Sequence, residues 1–137
     1  MTDIVEHCKK SGLRITGNLK VILSALMESR LPLSLQELEQ DSKISALCDR
    51  ATVYRTLQRL ESIGLLRRLN FANCGAKFTL NTGDKHQEYL ICRDCGQVDA
   101  LQIACPVHSL EHQIAEEKGY SGMTHELTFY GLCPSCQ

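Results

Sequence analysis

Tryptophan is absent from this chain of 137 residues, aromatic side chains make up only 5% of it, and it has three prolines. A core drawn from that supply must rest on Leu, Ile and Val. No apolar run approaches the roughly 18 residues that a membrane span requires, so no transmembrane segment is expected. Met1 to Lys10 mixes acids with bases and lacks an apolar stretch, so no export signal is read there and a cytoplasmic location is expected. Nucleophile elbow, phosphate-binding loop and dinucleotide fingerprint are all missing, which argues against an enzyme and against a small-molecule substrate. Charge of one sign is not in excess either, since the net is −1. The two halves differ, however. Residues 1–81 hold 12 Lys and Arg against 8 Asp and Glu, whereas residues 82–137 hold 3 against 8. A basic first half suits a polyanionic partner.

Cysteine, by contrast, is plentiful. Eight cysteines in a chain without an export signal point to metal or thiol chemistry over a disulfide framework. Four of them form two Cys-X-X-Cys pairs, Cys92/Cys95 and Cys133/Cys136, separated by 37 residues. Each pair can wrap one side of a tetrahedral Zn²⁺, and four thiolates close the shell, leaving no position for substrate. The role predicted is therefore structural; redox dithiols and coincidence are the alternatives. The first pair reads Cys-Arg-Asp-Cys-Gly, where the glycine permits a tight turn that leaves amide donors for the sulfurs.

The first half patterns as short helices. Val5 to Gly12 is briefly amphipathic and ends at a glycine of C-cap type. Thr16 is placed to cap a helix whose stripe is Leu19, Ile22, Leu23, Leu26 and Met27. Pro32 breaks it, and Ser34 with Glu37 forms a capping box for a helix that turns Leu35 and Leu38 inward. Asp49 then caps a helix over Arg50 to Ile63, with Val53, Leu57 and Leu60 on its core face and Gly64 behind it. Arg50, Thr52, Tyr54, Arg55 and Arg59 are left outside, an arrangement suited to a helix that reads DNA. Taken alone it also fits a solvated face; Arg67, Arg68 and Lys77 nearby favour DNA. Beyond Gly64 the period shortens to two, and two strands joined by Ala-Asn-Cys-Gly form a hairpin. Helices followed by a two-stranded wing predict a winged helix-turn-helix.

The fold class expected is α+β, within the broader α/β type. It comprises a winged-helix domain over residues 1–81, a polar hinge over 82–87, and a small α/β domain over 88–137. That second domain is predicted to contain a strand over Glu88–Cys92, a short strand near Ala100–Ile103, a helix starting at Pro106 and ending near Gly119, and a strand over Glu126–Leu132.

Taken together, Gly-Leu-Arg-Ile-Thr (12–16), Ala-Thr-Val-Tyr-Arg-Thr-Leu (51–57), Gly-Leu-Leu (64–66), Asn-Phe (70–71), Leu-Ile-Cys-Arg-Asp-Cys-Gly (90–96) and Tyr-Gly-Leu-Cys-Pro-Ser-Cys (130–136) resemble the ferric uptake regulator family along essentially the whole chain. The resemblance implies a homodimeric repressor, with residues 88–137 as its dimerisation domain, that binds double-stranded operator DNA when a regulatory metal is present. It implies major-groove contacts for Tyr54 and Arg55 and a minor-groove contact for Arg14. Asn18-Leu19 stands where the family often has Pro-Arg, so a phosphate contact is missing there or passes to Lys20.

The resemblance also implies a regulatory metal site of His86, Glu88, His108 and His125, with His108 where the family usually has Glu. Three imidazoles and a carboxylate suit Zn²⁺ or Fe²⁺, and the exchange of an acid for His should favour Zn²⁺ or Ni²⁺ over Mn²⁺. A second family site, bridging the domains, is not expected: Gln87, Tyr89, Thr79 and Pro32 (or Leu31) occupy its positions. Cys74 and Cys105 are possible extra ligands, although Cys105 is equally placed to cap the helix that follows. His112 lies one turn beyond His108, on what is more simply a solvated face. Cys8 and Cys48 are most simply small buried residues. The alternatives within this function are a peroxide sensor and a metal-independent regulator that keeps only structural zinc.

Overall fold

A computed structural model describes residues 2–71, 75–81 and 87–137. The chain divides into two compact units, Met1–His86 and Gln87–Gln137.

The first unit starts with helix α1 (Thr2–Lys10), which buries Ile4 and Cys8, followed by α2 (Gly17–Glu28). Thr16 caps α2 by accepting the Leu19 amide at 3.2 Å. Of the stripe read from sequence, Leu19, Ile22, Leu23 and Leu26 are buried, whereas Met27 is exposed. Pro32 is followed by a two-residue strand β1 (Leu33–Ser34), and then by α3 (Leu35–Gln40). The Ser34–Glu37 capping box is present in both directions, with Glu37 N–H on Ser34 at 3.1 Å and Ser34 N–H on Glu37 at 2.7 Å. Asp41 ends α3 and also caps a one-turn helix, α4 (Ser42–Ser45), that drives Ile44 into the core. Helix α5 (Arg50–Ser62) opens on Asp49, whose carboxylate accepts the Thr52 amide at 2.8 Å. Val53, Leu57 and Leu60 are fully buried on its inner face and join Leu23, Leu38, Ile44 and Phe78 in one cluster.

Strands β2 (Leu66–Phe71) and β3 (Gly75–Leu80) pair antiparallel from Leu66↔Leu80 to Phe71↔Gly75. The wing is three-stranded, because β1 adds to β3 through Leu33↔Phe78 and Ser34↔Lys77. Neither β1 nor α4 is evident from periodicity, since two and four residues are too short to show one.

The second unit is a sheet in the order β5-β4-β6 with one helix. Strand β4 (Glu88–Cys92) pairs antiparallel with β5 (Val98–Leu101) and parallel with β6 (Thr128–Gly131). β5 begins two residues earlier than the sequence pattern predicts, because the Gly96 turn brings Val98 opposite Ile91 at once. β6 is shorter than predicted at both ends. Helix α6 (His108–Lys118) starts two residues later than the Pro106 signal suggests. Pro106 lies in the preceding turn, and Val107 is the N-cap with no side-chain cap bond. Gly119 ends α6 in the left-handed conformation, φ 71°, as its C-cap position requires. A final 3₁₀ turn spans Pro134–Cys136. Among the described residues no helix is long and apolar enough to cross a membrane.

Candidate metal centre and nucleic-acid interface

Cys92 closes β4, Cys95 lies in the turn before Gly96, and Cys133 and Cys136 flank the last 3₁₀ turn. The parallel pairing of β4 with β6 ends at Cys92↔Gly131, which carries Cys133 alongside the first pair. All four sulfurs lie within 4.8 Å of one another, and Cys95 Sγ is 3.8 Å from Cys133 Sγ. The edge of a tetrahedron with Zn–S bonds of ~2.3 Å is about 3.8 Å, so the donor set fits that ion. Backbone amides hold it open: Cys133 N–H donates to Cys92 Sγ at 3.4 Å, and the Gly96 turn has φ 77°. Amide donation from Cys133 and Cys95 brings the Cys92 thiol down to about 6, while the neighbouring Cys133 sulfur pushes Cys136 upward. Crowded sulfurs that cannot all ionise alone are what a dication satisfies.

A second donor group lies in the same unit, formed by Glu88, Cys105 and His125, whose ligand atoms also lie within 4.8 Å of one another. Glu88 is 2% exposed at the first position of β4, while Cys105 and His125 are half-buried. Cys105 Sγ is 2.9 Å from His125 Nε2. His125 Nδ1 is bonded to the carboxylate of Glu111 on α6. Of the sequence-predicted regulatory set, Glu88 and His125 are thus brought together. His108 is exposed at the start of α6, its ring edge-on to His112 at 5.7 Å, and His86 and Cys74 lie outside the described residues. Glu111 escaped sequence reasoning; its signal is only an acid in the first turn of the helix after Cys105. Gln87, at a position of the family's bridging site, donates to the carbonyls of Leu101 at 2.5 Å and Glu88 at 3.0 Å.

On the first unit, α3 and α5 pack together as a helix-turn-helix with α4 in the connection. Arg50, Tyr54, Arg55 and Arg59 are exposed along α5, Thr52 is half-buried, and Arg14 is exposed two residues before the α2 cap. Arg50 Nε is 3.3 Å from Glu39, and Arg55 Nε donates to the Ala51 carbonyl at 3.3 Å. The wing cations are engaged within the first unit. Arg67 is 7% exposed, Arg68 bonds Glu61 at 3.0 Å and lies over the Phe78 ring at 5.2 Å, and Lys77 is 3.9 Å from Glu37. Arg68 is thus drawn to an acid of α5 and Lys77 to one of α3.

A winged helix-turn-helix joined to a small sheet with two metal-donor groups defines the class: a DNA-binding regulator with metal sites. The family model described as "Ferric uptake regulator family" matches residues 10–130, and the chain belongs to that family. It is 33% identical over 139 residues to the ferric uptake regulation protein of Neisseria meningitidis, covering 97% of this chain and 92% of that protein. The ferric uptake regulator of Pseudomonas aeruginosa, solved with manganese, aligns at a TM-score of 0.74 and 26% identity over 94% of this chain and 96% of that one. That of Francisella tularensis, solved with iron, aligns at 0.66 and 28% over 91% and 95%. Regulators of this family bind DNA and form dimers.

Proposed function

We propose that this chain is a metal-dependent repressor of metal-homeostasis genes, iron or zinc uptake among them, acting as a homodimer on operator DNA. The observation that carries this reading is the donor group of Glu88, Cys105 and His125, held apart from the four-cysteine site in the same small unit. A closed thiolate site stabilises a fold, whereas a second group with mixed donors suits an ion that comes and goes.

Cys92, Cys95, Cys133 and Cys136 are the residues to hold structural zinc. Glu88 and His125 are the regulatory ligands, and His86 and His108 are the remaining members of the family's set. A bound dication supplies the charge that gathers these donors at the start of β4, directly after residues 82–87 in sequence. Tyr54, Arg55 and Arg59 on α5, with Arg50 and Thr52 nearer its start, then meet base edges and phosphates, and Arg14 meets the minor groove.

Self-association is supported by surface chemistry. In the second unit only Glu88, Tyr89, Ile91, Cys92 and Val98 are buried. Leu90 and Phe129, partners across β4 and β6, are exposed together with Tyr130, Leu110 and Ile114. A unit this size cannot cover that much apolar surface alone, and a second copy of the chain is the occupant proposed.

Mobility-shift titration with Zn²⁺, Fe²⁺, Mn²⁺ and a chelator tests the reading. Operator binding that rises with one of these ions and is lost with chelator is expected; binding indifferent to all of them overturns it.

A further inference from the structure

The second donor group contains a sulfur, and its surroundings indicate which residue completes the ligand set. His125 Nδ1 is engaged by the carboxylate of Glu111, so Nε2 is the nitrogen that faces Cys105, whose Sγ is 2.9 Å away. Binding a carboxylate at one imidazole nitrogen and offering the other is the usual arrangement around a metal-bound histidine. Glu88 contributes a carboxylate that is 2% exposed, within 4.8 Å of both. Two carboxylates, a thiol and an imidazole in one partly desolvated place make the mixed donor set that a divalent cation takes. Bonds of ~2.3 Å to sulfur and ~2.0 Å to nitrogen separate those atoms by about 3.5 Å in a tetrahedron, so seating an ion asks them to part by only about 0.6 Å.

The segment bearing Cys105 is positioned from both sides. The Gln87 amide holds the Leu101 carbonyl at the end of β5, and α6 brings Glu111 to His125 beyond it. His108, by contrast, is exposed and sits against His112.

We propose that Cys105 is a thiolate ligand of the regulatory ion, in the place His108 would otherwise fill, with Glu111 as the residue that positions His125. This rests on the reading above that Glu88 and His125 bind that ion. A sulfur donor moves the set toward softer ions and selects zinc over manganese.

The test uses the full chain with zinc retained in the four-cysteine site, its content checked by metal analysis, and adds Co²⁺ alone. A second equivalent showing a sulfur-to-cobalt charge-transfer band in the near ultraviolet is expected in the wild type, a result that needs no variant. Cys105→Ser should remove the band and weaken zinc at this site at least tenfold, while Cys48→Ser, a thiol of the first unit, changes neither. A second equivalent bound without the band, or with zinc affinity unchanged in Cys105→Ser, overturns the thiolate assignment and leaves the regulatory site standing. Absence of any second equivalent in the wild type overturns both.

Discussion

Glu111 engages Nδ1 of His125 from α6 while Cys105 Sγ faces Nε2 of the same ring at 2.9 Å from the loop after β5. A ring held at both nitrogens keeps one tautomer and one orientation, which is what a ligand that must rebind its ion requires. Glu111→Ala should therefore weaken zinc at the second site by about 10- to 100-fold, with Glu111→Gln recovering part of the loss. Competition against a chromophoric chelator measures this. Zinc in the four-cysteine site should be unaffected, and its loss would mean that the substitution damages the unit as a whole.

The four-cysteine site closes a long excursion, because the chain leaves β4 at Cys92 and returns beside it only after β6. Without the ion, a sheet of three short strands with few buried side chains has little to hold β6 in register. Cys133→Ser should abolish tight zinc retention and raise amide exchange in β4 and β6. Exchange in β2 and β3 should stay slow, because their core is the cluster around Leu23, Leu57 and Phe78. Equal acceleration in both units would contradict this assignment.

What could be read in advance divides along physical lines. Caps at Thr16, Ser34 and Asp49 depend on residues within four positions of one another, and each is found where local chemistry puts it. The stripe of α5 is periodic over three turns, and its buried set is the one the spacing gives. The four cysteines are legible because thiolate spacing is itself the signal. Other features are set by tertiary pairing. β1 exists because Leu33 and Ser34 meet β3, and Arg67 is buried because of the packing of β2, neither of which leaves a periodic trace. The second donor group lies at the far end of this scale. Glu88, Cys105, Glu111 and His125 are scattered over 38 residues of sequence, and only the sheet and α6 bring them together. Family position pointed to Glu88 and His125, left Cys105 as one possibility among several, and gave nothing on Glu111.

The N-cap of α5 carries a pH dependence whose sign follows from its hydrogen bonds. Side-chain and backbone bonds to Thr52 hold the Asp49 carboxyl below its ordinary range. A carboxylate whose native value is depressed contributes stability above the unfolded value of ~3.9, and loses it as pH falls through the native one. Asp49→Ala should therefore lower stability at pH 7, with the difference from wild type shrinking as unfolding is followed toward pH 3. Asp49→Asn, which keeps an acceptor for the Thr52 amide, should be milder at neutral pH and less dependent on pH. Urea titrations across that range check both.

The outer face of α5 decides whether the first unit reads DNA through that helix. Arg55 is exposed at its centre, whereas Arg50 is already 3.3 Å from Glu39, so the two arginines should differ in effect. Arg55→Ala or Tyr54→Phe removes a hydrogen-bonding group without touching the buried face, and fold and zinc content should be unchanged. If Arg55 reaches a base edge, its loss costs about 1–3 kcal/mol of discrimination, and affinities for operator and scrambled DNA converge. If it reaches a phosphate, affinity falls on both sequences and the slope of log K against log salt drops by about one. Arg50→Ala should have the smaller effect, because DNA must first compete with Glu39 for its guanidinium. Leu57→Ala serves as the contrast. Its side chain is 1% exposed in the core, so about 2–5 kcal/mol of stability should be lost, with DNA binding failing only through unfolding. Anisotropy titrations at several salt concentrations, run beside chemical denaturation, separate these outcomes. An Arg55→Ala protein with unchanged affinity and unchanged salt slope would remove α5 from the interface.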